Sequence, residues 1–317
     1  MKTFDEIITD QVRTVSVVGH VRPDGDCLGA VLSVRQYLKD NYPGIEADAF
    51  AEEVPQYLRF LEKDIPIFRE DNHKTYDLCI SVDCSDKERI GAAPEVFERA
   101  LKTACIDHHE TNPGYADVNC IEGKLSSACE LLYRLFDKSR ISRETAVCLY
   151  TGMVHDTDCF RYESTSPETL RAAADLIEKG FDFAKIIRES LVMRSWKEAA
   201  VIAEVTEKAV FLPEEQFLYA FAPLELQEKY GATAQDLGSV VSSLNEIAGA
   251  EVVLFCYQLD RNTWKGSLRS KEKVNVADFA KDLGGGGHMR AAGFDFTGEP
   301  MDIVGKIRER IRKELSL

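Results

Sequence analysis

Four short segments concentrate carboxylate and imidazole side chains. They are His20 with Asp24 and Asp26 in GHVRPDGD, Asp83 in SVDCSD, Asp107-His108-His109, and His155-Asp156-Thr157-Asp158. Singly, each reads as a turn or a helix cap; Pro23-Asp24-Gly25 alone is an ordinary turn. Their conjunction carries more. The chain has 6 histidines, and His20, His108, His109, His155 and His288 lie in these segments or beside a glycine run, leaving only His73 elsewhere. Carboxylate plus imidazole is the ligand mix of a divalent cation such as manganese.

The elements that must position these groups are legible. Apolar runs TVSVVG (14–19), IEADAFA (45–51), YDLCISV (76–82) and TACI (103–106) are too short for helices, and helical patterns such as CLGAVLSVRQYLKDN (27–41) separate them. That alternation predicts βαβ units and a mostly parallel, doubly wound α/β sheet. Ligands of such sheets bind beyond the carboxyl ends of the strands, where His20, Asp83 and Asp107-His108-His109 fall. Ser127 with Glu130 predicts a capping box opening one helix. Ser166, Pro167 and Gly180 bracket another. Residues 183–203 read as a linking helix. Strand patterns resume over 206–224, with a turn at Pro213-Glu214-Glu215, and over 250–260 and 263–270. The expected organisation is a metal-binding domain over 1–182, a helical linker over 183–203 and a smaller mixed α/β domain over 204–317.

A length of 317 residues with 44% hydrophobic and 29% charged residues is that of a globular protein. No apolar run approaches the length of a membrane span, and MKTFDEIITDQV reads as a short amphipathic helix, not a signal peptide. The formal charge of −15 disfavours long DNA or RNA, including long duplex DNA. The 9 cysteines, odd in number and without a CxxC pair, read as reduced thiols of a cytoplasmic protein. Against the acidic background, stretch 261–290 holds seven Lys/Arg (Arg261, Lys265, Arg269, Lys271, Lys273, Lys281, Arg290) and three acids, a local balance of +4. Within it, Gly284, Gly285, Gly286 and Gly287 follow an amphipathic helix and lead into HMRAAGFDF, which reads as a strand. Consecutive glycines let backbone N–H groups converge on an anion.

GHVRPDGDCLGA, SVDCSD, DHH and GMVHDTDCF, in this order, resemble the four motifs of the DHH phosphoesterase superfamily. LRSKEKVNVADFAKDLGGGGHMRAAGF resembles the glycine-rich signature of its associated C-terminal domain. Within the superfamily the chain is most similar to bacterial bifunctional enzymes that degrade very short RNAs and dephosphorylate 3′-phosphoadenosine 5′-phosphate. The resemblance implies two divalent ions, Mn²⁺ first and Mg²⁺ or Co²⁺ as alternatives. His20 and Asp24 would hold one, Asp26, His108 and Asp156 the other, and Asp83 both. It implies a non-ligating His109 facing the substrate phosphate, and Asp107 orienting His108 through its other ring nitrogen. Arg269, Ser270, the four glycines and His288 would form the substrate-holding side of an interdomain cleft. His155 and Arg161 are further candidates. The fourth motif usually reads T-D-T-G; here it is His155-Asp156-Thr157-Asp158, so Asp156 keeps its place.

The expected activity is hydrolysis of oligonucleotides of about two to five residues, RNA or DNA, and removal of the 3′-phosphate of a nucleotide 3′,5′-bisphosphate. No membrane partner is expected, and a homodimer is left open. Rival readings are a phosphodiesterase of linear dinucleotides, a short single-strand exonuclease and a nucleotide-binding regulator without catalysis. The pyrophosphatase branch is disfavoured because its basic Ser-Arg-Lys-Lys run is missing.

Overall fold

The computed structural model describes residues 3–62 and 65–316, apart from the side chains of Gln235 and His288. Two compact units meet between Met193 and Arg194. The first opens with α1 (Phe4–Ile7), a single turn that buries Phe4 and Ile7. Its strands are β1 (Thr14–Val18), β2 (Glu46–Phe50), β3 (Ile67–Phe68), β4 (Leu78–Val82), β5 (Thr103–Asp107) and β6 (Val118–Ile121). They form one sheet in the order β3-β2-β1-β4-β5-β6, every pairing parallel. Both faces are covered, so the central strands read as unbroken apolar runs. Val15, Val17, Ile80 and Ile106 face α2 (Gly25–Asn41), α4 (Ala128–Leu135) and α5 (Arg143–Asp156). Val18, Phe50 and Cys79 face α3 (Pro94–Arg99).

Sequence patterning did not announce β3 and β6. Each is short and only half-buried at a sheet edge, and so lacks an apolar signature. The four predicted strands are present. The strand order reverses between β1 and β4, which are neighbours although β2 and β3 lie between them in the chain. Such a switch point opens a crevice at the carboxyl ends of the strands.

Two helices cross closely there. A Cβ on Gly29 of α2 would lie 2.6 Å from the Cys148 carbonyl oxygen of α5, and one on Gly152 of α5 would lie 2.2 Å from Cys129 Sγ. Ser127 caps α4 by accepting the Glu130 N–H, but the Glu130 carboxylate turns to Ser126 and Thr169 instead of closing the capping box. Ser166 and Thr169 do form a capping box at the start of α6 (Pro167–Ile177). Gly180 adopts φ +80° beyond the end of that helix.

The stretch expected to be one linking helix is broken. It comprises α7 (Phe183–Ile187), a π-helical turn over Arg188–Val192, and α8 (Trp196–Glu207). Ser195 starts α8 afresh with its own capping box to Glu198, a signal present in the sequence but masked by the continuous helical propensity around it.

The second unit is a mixed sheet of β7 (Val210–Leu212), β8 (Phe217–Ala222), β9 (Val252–Gln258), β10 (Thr263–Ser270), β11 (Gly286–His288) and β12 (Ala291–Thr297), in the order β11-β12-β10-β9-β8-β7. Only β8 and β9 run parallel. Pro213–Glu215 makes the expected turn between β7 and β8, completed by Gln216 at φ +48°. Side chains alternate between two cores. Phe217, Leu254 and Phe294 face α11 (Val276–Asp282) and α12 (Pro300–Glu314). Leu218, Val253 and Phe255 face α8, α9 (Leu224–Tyr230) and α10 (Ala234–Asn245).

Because Gly29 faces backbone, little can relax around a new methyl group. Gly29→Ala should cost about 1–3 kcal/mol through overpacking. The check is the urea midpoint at unchanged slope; an unshifted midpoint would show that the two helices can part.

Candidate functional site

The carboxyl ends of β1, β4 and β5 and the C-terminus of α5 bring the acidic and imidazole segments together. His20 follows β1 and is pinned by pairing of its segment with Ile90 and by the Gly91 N–H donated to the Gly19 carbonyl. Asp83 follows β4 in a left-handed conformation, φ +51°, which Asp tolerates better than most residues. Its N–H is held by the Ile106 carbonyl. Asp156 is the last residue of α5. After it, Thr157 buries its hydroxyl on the Met153 carbonyl, and Asp158, Cys159 and Phe160 all take positive φ.

Asp83 is the centre of the cluster. It is 3% exposed. Its Oδ2 lies 3.4 Å from His20 Nε2, and its Oδ1 lies 3.5 Å from His108 Nε2 and 3.8 Å from His109 Nδ1. Oδ1 is buried without a hydrogen-bond partner. A buried carboxylate oxygen left without a donor is costly unless a cation meets it.

The imidazoles are oriented as ligands. His20 Nδ1 lies 2.8 Å from the Val21 carbonyl oxygen and His108 Nδ1 lies 3.3 Å from that of Leu125. A carbonyl only accepts, so both rings place a proton on Nδ1 and aim Nε2 at the carboxylates, where a bound cation would take its lone pair. His108 Nε2 is 3.3 Å from Asp156 Oδ2 and 4.0 Å from Asp26 Oδ2. Asp26 is fixed from behind: Oδ2 accepts the Ala128 N–H at 2.7 Å and Oδ1 the Cys129 N–H at 3.0 Å, both at the start of α4. Asp24 caps α2 by accepting the Asp26 and Cys27 N–H groups, and its Oδ1 is 3.8 Å from His20 Nε2.

Two sets suited to a metal ion emerge, each with ligand atoms within 4.8 Å of one another: Asp26, His108 and Asp156, and His20, Cys27 and Asp83. Asp83, His108 and His109 make an overlapping third. Cys27 was not singled out from the sequence. Its thiol is buried and pushed up to about 11 by that burial, partly offset by His20. The PDGDC spacing, one helical turn past Asp24, was the available signal.

The titration behaviour reports a shortage of positive charge. Burial and the Asp83 charge push Asp26 up to about 7. Burial and Asp26 push Asp156 up to about 8. Burial works against the charge on His108, yet Asp83, Asp26 and Asp156 raise it to about 10. His20 is likewise raised, against burial, by Asp24 and Asp83. Two carboxylates about 4 Å apart repel by about 4 kcal/mol at an effective dielectric of 20. Divalent cations would relieve that repulsion, and the donor set fits them.

Asp107 departs from expectation. It does not touch His108; its Oδ1 bonds His109 Nδ1 at 2.8 Å and its Oδ2 accepts from Asn112 Nδ2 at 2.7 Å. In an extended segment residues i and i+2 share a side, so Asp107 meets His109 and the intervening His108 points away. Asn112, which also donates to the Cys84 carbonyl, was missed by sequence reading.

His155 stays out of the cluster. Its Nε2 bonds Ser190 Oγ at 2.9 Å, and burial lowers its pKa to about 4. Arg161 folds back onto Asp158.

In the second unit, Gly284–Gly287 is a hairpin edge and not a linker. Gly284 ends α11 at φ +80°, Gly285 presses on the Gly293 carbonyl, and Gly286–His288 pairs antiparallel with β12. The His288 side chain lies outside the described residues. Arg269 is on β10, with one guanidinium N–H on the Leu268 carbonyl. Ser270, expected to meet substrate, is instead 4% exposed and donates to the Val274 carbonyl at 2.6 Å, because it ends β10 facing the core. The Glu251 carboxylate accepts the N–H groups of Glu272, Lys273 and Val274, and Arg290 donates to the carbonyls of Glu272 and Val274. The basic loop and the glycine hairpin are thereby tied together.

A parallel sheet carrying an Asp/His cluster at its switch point, joined in sequence to a mixed-sheet unit with a glycine hairpin, defines a class. Residues 14–153 match the DHH family, N-terminal domain, and residues 214–316 match the DHHA1 domain. The first unit thus carries a DHH domain and the second a DHHA1 domain. Among relatives of the chain, the bifunctional oligoribonuclease and PAP phosphatase NrnA of Thermus thermophilus is 28% identical over 100% of this chain and 94% of that protein. The Bacillus subtilis protein of the same name is 27% identical over 90% and 92%. An exopolyphosphatase-related protein of Bacteroides fragilis superposes with a TM-score of 0.87 at 25% identity, covering 96% and 93% of the two chains. Among the described residues no helix is long and apolar enough to cross a membrane.

Since Asp26, Asp156 and His108 hold protons near neutrality when no cation is bound, metal uptake must displace them. Raised pKa values mean that binding strengthens as pH rises. Manganese titrated calorimetrically at pH 6, 7 and 8, in buffers of different ionisation enthalpy, should show proton release and an affinity that climbs with pH. A pH-independent affinity without proton release would contradict this ligand set.

Proposed function

We propose that the chain is a metal-dependent phosphoesterase that cleaves oligonucleotides of about two to five residues to mononucleotides and removes the 3′-phosphate of 3′-phosphoadenosine 5′-phosphate. The observation that carries the reading is the buried Asp83 carboxylate, flanked by His20 on one oxygen and by His108 and His109 on the other, with Oδ1 unpartnered. The names of the Thermus and Bacillus relatives, oligoribonuclease and PAP phosphatase, support the choice of substrate.

Two divalent ions, Mn²⁺ before Mg²⁺ or Co²⁺, would be held by His20, Asp24 and Asp83 and by Asp83, Asp26, His108 and Asp156, and when bound would supply an activated water and Lewis acidity at phosphorus. The chain's own residues do the rest. The start of α4 holds both oxygens of Asp26, so that ligand needs no reordering. Asp107 accepts the His109 Nδ1–H and so orients the ring; with Nε2 also protonated, His109 would donate a hydrogen bond or a proton to the phosphoester. Arg269 and the backbone of Gly286–Gly287 would hold a further phosphate; Ser270 is not part of this proposal, nor are Gly284 and Gly285, whose N–H groups go to the Lys281 and Ala280 carbonyls. None of the nine cysteines is in a disulfide and seven are buried, which supports action in a reducing cytoplasm.

Length selectivity is the test. Each added nucleotide brings another phosphate toward a chain of net charge −15, whereas the favourable contacts are used within the first few. Cleavage of 2-, 5-, 12- and 24-mers at matched end concentration, with manganese, should be fastest for the two shortest and fall steeply beyond. Salt should narrow the gap by screening the longer chains. Equal or faster decay of the 24-mer would identify a general single-strand exonuclease instead.

A further inference from the structure

One aromatic pair built onto the acidic cluster is not used by the chemistry above. Tyr57 belongs to a 3₁₀ turn, Gln56–Leu61, whose Leu58 and Leu61 are buried in the core while Tyr57 remains 41% exposed. Its ring lies nearly parallel to that of His155, at 13° with centroids 5.8 Å apart. His155 precedes Asp156 in the chain and packs over Gly25, which separates Asp24 from Asp26; a Cβ on Gly25 would fall 2.2 Å from His155 Cγ. The pair is thus one residue away from candidate metal ligands on two different segments.

The backing ring is held at two points. Ser190 Oγ has one proton, and the Ile186 carbonyl takes it at 2.8 Å. His155 Nε2, 2.9 Å from the same oxygen, must therefore be the donor of their bond. With Nε2–H held and the ring wedged on Gly25, His155 gives Tyr57 a fixed partner.

We propose that Tyr57, backed by His155, is the platform on which one nucleobase of the substrate stacks beside the reacting phosphate. This rests on the nucleotide reading above and adds to it the recognition of a base. A flat aromatic surface at the edge of a phosphate site suits a ligand that joins a planar ring to a phosphate, and stacking tolerates any base because each has a π-face. One platform engages one base, in keeping with substrates of few nucleotides. The departure of the fourth motif at His155 acquires a role: it supports the ring that meets the base.

The experiment compares the full chain with Tyr57→Trp and Tyr57→Leu, all loaded with manganese. The substrates are an intact dinucleotide and two analogues, one lacking the 5′ base and one lacking the 3′ base. KM and kcat are measured for each, and calorimetry gives the affinities of the same three ligands with a methylene group replacing the scissile ester oxygen. The wild-type chain should prefer the intact ligand over one of the two analogues by roughly 5- to 100-fold in affinity, the range expected for one stacked base. Tyr57→Trp should keep that preference, and Tyr57→Leu should bring the ratio close to one with kcat for the intact dinucleotide little changed. An undiminished preference in Tyr57→Leu, or a loss that falls equally on intact and abasic ligands, overturns the proposal. Dinucleotides bound but not cleaved would defeat the hydrolytic reading alone, with stacking still judged by the affinity ratio. No dinucleotide binding at all would defeat both.

Discussion

The site depends on one carboxylate kept from water. Asp83 sits at the switch point of the parallel sheet, in a left-handed backbone conformation, with one oxygen toward His20 and the other toward His108 and His109. The imidazoles hold it ionised, below the usual carboxylate range, against the opposing effect of burial. Its Oδ1 nevertheless lacks a hydrogen-bond donor. A protein tolerates such an arrangement where something absent from its own side chains completes it, and two cations are the simplest completion. The rest of the first unit can be read as the frame that keeps this carboxylate in place: strands to aim the segments, and a close helix crossing at Gly29 and Gly152 to seat Asp26 beside the start of α4.

Around Asp83 the imidazoles divide into two kinds by what their second nitrogen meets. His20 and His108 donate to backbone carbonyls, which leaves Nε2 turned toward the carboxylates. His109 meets the Asp107 carboxylate, which orients the ring for the proton-transfer role proposed above. Adjacent histidines thus acquire different chemistry from alternation along an extended segment, without any difference in residue type. His155 forms a third case, a ring used for packing and, on the proposal above, for backing a base.

Much of this was legible in the sequence because it is local. The strands over 14–18, 46–50, 78–82 and 103–107 announce themselves as apolar runs, and the acids and imidazoles follow them directly. The β7–β8 hairpin was signalled by Pro213-Glu214-Glu215. What escaped depended on partners distant in sequence or on exposure. β3 and β6 gain their strand character from pairing at the sheet edges. The break before Ser195 lies within residues that all favour helix. Asp107 was assigned to the wrong histidine because adjacency in sequence was taken for adjacency in space. Ser270 looked like a ligand contact on residue type alone, whereas its position at the end of β10 turns it to the core. Tyr57 could not have been joined to His155, nearly a hundred residues away, without the fold.

The central claim is that Asp83 bridges two cations. The most direct measurement is the electron paramagnetic resonance spectrum of the chain titrated with Mn²⁺. Two ions sharing the Asp83 carboxylate should give, at two equivalents, the broadened, temperature-dependent signal of an exchange-coupled pair, and Asp83→Asn should lose it. A simple six-line spectrum of isolated Mn²⁺ at every loading, unchanged by that substitution, would contradict the account.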